Sequence, residues 1–315
     1  MPVTVKWGID TPMTTVDWLW KPFIPYGKVS IIQGDGGEGK TTLILKIAAM
    51  LSQGIKPPTM KYGRLGQTEQ IEPVTIFYAS TEEEIADSAL PTFTLNGGNK
   101  ARFAYSGEKT NHMNLDEEDI RSVIEQTGAK LIIIDPLQAF LPHGVTLNNV
   151  SRMRPIFTAL SNVALETGAA IVLLGHMNKN EHAKDIHRGL GSADISAAVR
   201  SIILVSKDKE DPELRVIRTI KSNFRECDYT PIGARMNEHE ELYFVEIDEE
   251  EESHSPINIA MDFLRDVLQA GPIESNEMME MLEANDIKKR TADRAKKELG
   301  IISRRMDGKS YWCLE

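Results

Sequence analysis

The sequence is poor in cysteine: Cys227 and Cys313 are the only two in 315 residues, and they lie in different regions. No Cys-x-x-Cys pair occurs, which excludes a disulfide scaffold and the usual zinc-binding spacings. The expectation is a reducing, cytoplasmic setting in which neither thiol is catalytic. Long hydrophobic runs are also missing. Leu131–Ile134 and Ile171–Leu174 are among the longest, far below the roughly 20 residues of a membrane span, so no membrane partner is expected. Met1-Pro-Val-Thr lacks the basic start and apolar core of a secretory signal. Basic charge is in deficit, with 36 Lys and Arg against 47 Asp and Glu and a net charge of −11. That argues against indiscriminate nucleic-acid binding over the whole surface and leaves room for a local basic site. No repeat at a solenoid period is present, and 22 Gly with 15 Pro give no collagen-like or low-complexity character.

What remains is ordinary globular composition, at a length that suits one large α/β domain plus a small one, or two mid-sized domains. Between Lys28 and about Val205, short apolar runs alternate with helical stretches. The runs Val29–Ile32, Val74–Ala79, Leu131–Ile134, Ile171–Leu174 and Ile202–Val205 predict a mostly parallel sheet buried on both faces. Helices are expected from Thr41 to Gln53, from near Asn114 to Gly128, and from Val150 to Thr167. Leu214–Ile220 and Leu242–Ile247 read as antiparallel strands. Asp248-Glu-Glu-Glu-Glu252 then marks a solvated linker, because like charges in a row repel. The expected division is a domain over 1–247, a linker over 248–256 and a small domain over 257–315. Three short helices (Ile257–Gln269, Ser275–Ala284, Thr291–Leu299) and a hairpin outline a winged helix-turn-helix in the last of these.

Gly34-Asp-Gly-Gly-Glu-Gly39-Lys40-Thr41 fits G-x-x-x-x-G-K-[ST], after an expected strand and opening an expected helix. Glycines let backbone N–H groups turn inward around phosphates, and a helix N-terminus favours the anion. Gly34, Gly36, Gly37, Glu38, Gly39, Lys40, Thr41 and Thr42 are therefore the candidate nucleotide-binding residues, with ATP and Mg²⁺ as cofactors. Lys40 would neutralise the β/γ-phosphates and Thr41 would hold Mg²⁺. Asp135, at the carboxyl end of Leu131-Ile-Ile-Ile, is the second candidate for the Mg²⁺ shell. An ATPase also needs a base or a water-positioning group opposite the γ-phosphate. Glu82, with Glu83 second, is the favoured candidate, at the end of a strand expected beside the phosphate-loop strand; the alternative for Glu82–Glu84 is a solvated acidic helix start.

Together these residues resemble RecA-type hexameric ATPases, and within them the plasmid RepA-like replicative helicases and their mobile-element relatives. The likeness begins at Val16-Asp-Trp-Leu-Trp20 with Ile24-Pro25-Tyr-Gly27-Lys28. It continues through the phosphate loop, Tyr78–Glu84 and Ile133–Leu137, and through Gly175-His176-Met-Asn178-Lys179 to Arg188-Gly189-Leu-Gly191-Ser192-Ala193-Asp194 and Arg200. About residues 10–225 are covered. The resemblance implies a RecA-like core acting as a homo-oligomer, a hexameric ring, with His176 as γ-phosphate sensor and Arg200 as an arginine finger reaching a neighbouring subunit; Arg188 is the runner-up. It implies single-stranded DNA contacts from loops near 142–152 and 177–189, with Lys179 and Lys184 among the candidates, although two ordinary polar loops explain these segments as well. One departure stands out. Many hexameric helicases carry K-x-R on a late hairpin, whereas here Lys221-Ser222-Asn223 has Asn in place of Arg, with Arg225 or Arg200 as substitutes.

The tail resembles the C-terminal winged helix of such mobile-element ATPases. Lys289, Arg290, Arg294 and Lys297 on its recognition helix are candidates for duplex DNA phosphates, and the acidic second helix suits protein docking instead. The implied activity is an ATP-dependent DNA helicase of a plasmid, phage or integrated element, with a replication protein as a further partner. The alternative is a regulatory or recombination-mediator ATPase of RecA/KaiC type that binds DNA without unwinding it.

Overall fold

The computed structural model describes residues 7, 9, 15–61, 64–81, 85–106, 113–147, 149–177, 199–208, 211–224, 229–247, 256–269, 271–285, 287–306 and 308–313. The chain divides into two compact units, Met1–Glu246 and Ile247–Glu315. No described helix is long and apolar enough to cross a membrane.

The first unit is built on a nine-stranded sheet: β1 Val29–Gly34, β2 Ile76–Ser80, β3 Phe103–Tyr105, β4 Leu131–Asp135, β5 Ala170–His176, β6 Ser201–Lys207, β7 Arg215–Ser222, β8 Ile232–Met236 and β9 Leu242–Val245. Its order is β9-β8-β7-β6-β1-β5-β4-β2-β3. The six strands from β6 to β3 are parallel, and β7, β8 and β9 extend the sheet antiparallel. The helices are α1 Lys40–Ser52, α2 Leu90–Leu95, α3 Glu117–Thr127 and α4 Val150–Thr167. The fold is α/β with a mostly parallel sheet covered on both faces, as the alternation of runs and helices predicts.

Strand periodicity explains the continuous apolar runs. Ile32, Val172, Leu174, Ile133 and Tyr78 join α1 in one core, while Ile31, Ile171, Leu173, Ile132 and Phe77 join α3 and α4 in another. Successive residues thus serve opposite faces, and both faces are covered. Helix α1 is apolar nearly all round, with Ile44, Ile47, Ala48, Ala49 and Leu51 fully buried, as expected of a central helix.

One expectation is corrected. The strand that precedes Glu82 and Glu83 is not beside the phosphate-loop strand: β2 pairs with β3 and β4, and β4 and β5 stand between it and β1. Equivalent apolar runs carry no information about which neighbour each will take. Strands β3 and β8 were not expected. The first has only three residues, and Gly233 and Arg235 interrupt the apolar pattern of the second.

The second unit contains α5 Pro256–Gln269, β10 Ile273–Glu274, α6 Ser275–Ala284, α7 Lys289–Glu298, β11 Ile302–Met306 and β12 Lys309–Cys313. Its antiparallel sheet has the order β10-β12-β11. Ala260, Leu264 and Leu268 form an i, i+4, i+8 stripe on α5 and share a core with Met278, Leu282, Ala292, Ala295 and Trp312.

Gly34 is tightly packed against β6. A methyl group there would lie 2.3 Å from the carbonyl oxygen of Val205 on β6, inside any permitted contact. Gly34→Ala is expected to destabilise the first unit by roughly 1–3 kcal/mol, the usual cost of overpacking. Thermal melting without nucleotide checks this, and an unshifted transition would show that β1 and β6 separate freely.

Candidate functional site

The phosphate loop leaves β1 at Gly34 and enters α1 at Lys40. Gly39 makes the turn into the helix at φ 85°, left-handed backbone that a side chain would strain, and no side chain caps the helix. The N-cap position thus offers the first turn no side-chain acceptor of its own, an arrangement that suits an anion. Nothing lies within 4 Å of a methyl built on Gly36 or Gly37, so the loop's outer rim is open. Lys40 is 5% exposed, and its ammonium donates to the carbonyl oxygens of Gly34 at 3.0 Å and Asp35 at 2.8 Å. Thr42 follows in the first turn of α1, half-buried.

Residue parity brings Asp135 to the same helix. It lies two residues beyond Ile133, on the face that packs against α1, and is itself buried. Thr41 donates its hydroxyl to Asp135 Oδ2 at 2.8 Å, and the fully buried Tyr78 donates to the same oxygen at 3.1 Å. His176 ends β5 directly opposite Gly34 and has the parity of Val172 and Leu174, which gives it the α1 face. Glu38 accepts the backbone N–H of Lys207 at the end of β6.

Arg200 lies elsewhere. Ser201 pairs with Ser30, so Arg200 sits at the level of Val29, five residues from Gly34 along the strand, or about 16 Å. It is exposed. Lys221 shares this end: its ammonium donates to Val199 O at 2.9 Å, and the N–H of Asn223 donates to Arg200 O at 3.1 Å. Burial lowers the Lys221 pKa, and the charge of Arg200 lowers it further. The structure thus brings Lys40, Thr41, Asp135 and His176 together and sets Arg200 apart. Glu82, Glu83, Lys179 and Lys184 lie outside the described residues.

On the second unit, Lys289, Arg290, Arg294 and Lys297 are exposed. Arg290, Arg294 and Lys297 follow i, i+4, i+7 spacing, one stripe of α7. Lys296 faces inward, with its ammonium 3.9 Å from the centre of the Trp312 ring and 2.6 Å from Ser303 Oγ; burial lowers its pKa.

Two residues near the loop were given no role by the motifs. Tyr78 had a visible signal, a hydroxyl inside an apolar run. Arg215 had none: it reaches Gly39 only through the pairing of β7 with β6.

The donor set fits ATP and Mg²⁺. A hydroxyl and a carboxylate 2.8 Å apart supply hard oxygen ligands beside an uncapped helix N-terminus. Among the described residues no cluster of three or more His, Cys, Asp or Glu could hold a metal alone, so phosphate oxygens would complete the shell. When bound, Mg²⁺ neutralises charge on the phosphates.

A phosphate loop after the first strand, and an acidic residue on a strand one removed from it, define a RecA-type P-loop ATPase core. The chain belongs to the AAA domain family, whose profile matches residues 1–182. It is similar to the DNA repair protein RadA of Halalkalibacterium halodurans, 23% identical over 222 residues covering 69% of this chain and 41% of that one. It is also similar to RadA of Bacillus subtilis, at 24% over 200 residues covering 63% and 37%. RadA of Mycobacterium tuberculosis (strain H37Rv) is 25% identical over 206 residues, covering 64% and 36%. The chain therefore spans about two fifths of the length of these curated relatives. A KaiC-like protein from Pyrococcus horikoshii OT3 superposes with a TM-score of 0.47 at 15% identity, covering 71% of this chain and 93% of that one.

Tyr78→Phe removes a donor to Asp135. Outer-shell partners of this kind usually contribute 10- to 100-fold in metal affinity, so the Mg²⁺ concentration needed for tight ATP binding should rise about tenfold. Titrating Mg²⁺ against a fluorescent ATP analogue measures the effect; an unchanged midpoint would show that the hydroxyl does not hold Asp135.

Proposed function

We propose that this chain is an ATP-hydrolysing, DNA-binding motor that works as a ring, probed first as a replicative-type helicase of a plasmid, phage or integrated element. The observation that carries the proposal is the separation of the two cationic ends of the sheet. Lys40, Thr41 and Asp135 gather at the carboxyl end of the parallel strands, whereas Arg200 and Lys221 stand at the other. No arginine side chain spans about 16 Å, which supports a role for Arg200 toward a nucleotide held by another subunit. Such a residue at a phosphoryl-transfer site accelerates hydrolysis by several orders of magnitude. In this reading His176, beside Gly34, senses the γ-phosphate, and Glu82 or Glu83 orients the attacking water.

DNA contact is proposed at two places. The start of α4 carries the exposed Arg152 and Arg154, and the stripe Arg290, Arg294 and Lys297 with wing residues Arg304 and Arg305 suits duplex phosphates if the second unit acts as a winged helix. The second reading is a regulatory or recombination-mediator ATPase that binds DNA without unwinding it; the likeness to relatives named DNA repair proteins supports a role on DNA under either reading. Strand displacement on a forked substrate, measured beside ATP hydrolysis, separates the two.

Mixing Arg200→Ala protein with Lys40→Ala protein tests the ring. Each variant alone should be inactive, and the mixture should regain part of the activity through sites that draw Lys40 from one subunit and Arg200 from its neighbour. No recovery in a mixture shown to co-assemble would place Arg200's action within its own chain.

Replacing Arg290, Arg294 and Lys297 together by alanine tests the tail. Each phosphate contact contributes about −0.9 to the slope of log affinity against log salt, so duplex binding should lose roughly two to three units of slope. An unchanged slope would direct the search to a protein partner.

A further inference from the structure

The facing ends of β6 and β7 brace the phosphate loop at three points, β7 being entered from a turn at 211–214. Val205 O closes on Gly34, the Lys207 N–H binds the Glu38 carboxylate, and Arg215 lies over Gly39. A methyl group on Gly39 would sit 3.4 Å from Arg215 Nε and 3.8 Å from its Cδ. Arg215 is half-buried and opens β7 in register with Lys207. Its Nη1 donates to Pro212 O at 2.7 Å, and no ion pair of Arg215 occurs among the described residues. The turn is itself held in shape. Leu214 N donates to Asp211 O at 2.9 Å, Glu213 N donates to Asp211 Oδ1 at 3.1 Å, and Arg235 pairs with the other carboxylate oxygen of Asp211. That neighbouring carboxylate is therefore already occupied.

A guanidinium at this spot runs against simple electrostatics. The N-terminus of a helix carries partial positive charge, α1 has no acidic residue in its first turn, and Lys40 adds a full charge beside it. Asp135 is turned to Thr41 and Tyr78, and Glu38 to the Lys207 N–H. Three positive sources converge on one loop, and an anion bound there offsets all of them. Backbone N–H groups of such a loop cradle the phosphates shared by ATP and ADP, and Gly39 is the loop's last glycine.

We propose that Arg215 is a nucleotide-binding residue of its own subunit, donating from its guanidinium to the α/β-phosphate oxygens held at Gly39. The assignment rests on the phosphate-loop reading above and adds a residue in cis, at the end of the sheet opposite Arg200. Because the contact is to phosphates common to substrate and product, Arg215 acts on affinity for both nucleotides and leaves discrimination of the γ-phosphate to other groups.

The test is equilibrium binding of fluorescent ATP and ADP analogues, with Mg²⁺, to the full chain and to three variants. Arg215→Ala should weaken both nucleotides by roughly 10- to 100-fold, the range for a hydrogen bond to a charged group. Arg215→Lys keeps the charge and should recover part of the loss. Arg215→Gln keeps a polar side chain of Nε length beside Gly39 without the charge, and it should bind as poorly as the alanine variant. Wild-type affinity in Arg215→Gln would reduce Arg215 to a structural tether and overturn the proposal. A loss confined to ATP, with ADP unaffected, would overturn the α/β assignment. Melting temperature without nucleotide controls for folding, and if Arg215→Ala does not fold, the comparison of Gln with Lys carries the test. Failure of the wild-type chain to bind either nucleotide would instead overturn the phosphate-loop reading itself.

Discussion

The hydrogen bond from Thr41 to Asp135 ties the first turn of α1 to the end of β4, across the intervening β5. It depends on α1 being buried against the sheet face that Tyr78, Ile133 and Val172 share, and on the parity that gives Asp135 that face. A charged-capable pair at the rim of so apolar a core needs partners for every oxygen, and Tyr78 supplies the second donor. The loop geometry, the position of Lys40 and the placement of His176 opposite Gly34 all follow from the same docking of helix on sheet.

A parallel sheet has two chemically different ends, and this chain uses both. The carboxyl end collects the loop, the uncapped helix start, Lys40 and Asp135, so it is built for an anion with its metal. The opposite end carries exposed Arg200 beside Lys221, whose pKa falls through burial and through the charge of Arg200. A half-buried lysine beside an arginine gains from meeting negative charge, and their own subunit holds its candidate phosphate site at the far end of the strands. The antiparallel extension from β7 to β9 matters here because it presents one strand to both ends: Arg215 starts it near Gly39, and Lys221 lies near its finish.

The net charge of −11 and the basic stripe of α7 are compatible because charge acts locally once it is ordered on a surface. Five neighbouring cations in the sequence do not all face outward. Lys296 lies on Trp312 and bonds Ser303, where it secures the hairpin to the helix, while Arg290, Arg294 and Lys297 line the exposed face.

Much of this was legible in the amino-acid order. The phosphate loop, Asp135 at the end of four apolar residues, the α/β class and the exact close of α4 at Thr167 are local features, set by residue type, glycine position and short periodicity. The order of strands was not legible, because runs such as Val29–Ile32 and Leu131–Ile134 are equally apolar and any could adjoin any other. That is why β2 was expected beside β1 and stands two strands further away. Nor did any motif mark Arg215, 176 residues beyond Gly39 in the chain, or separate Lys296 from its neighbours. By itself, then, the sequence determined most of the strands and helices and which loop carries the phosphate-binding pattern. Which side chains meet across those segments was decided only by the packed sheet, since pairing order and facing depend on contacts between residues far apart in the chain.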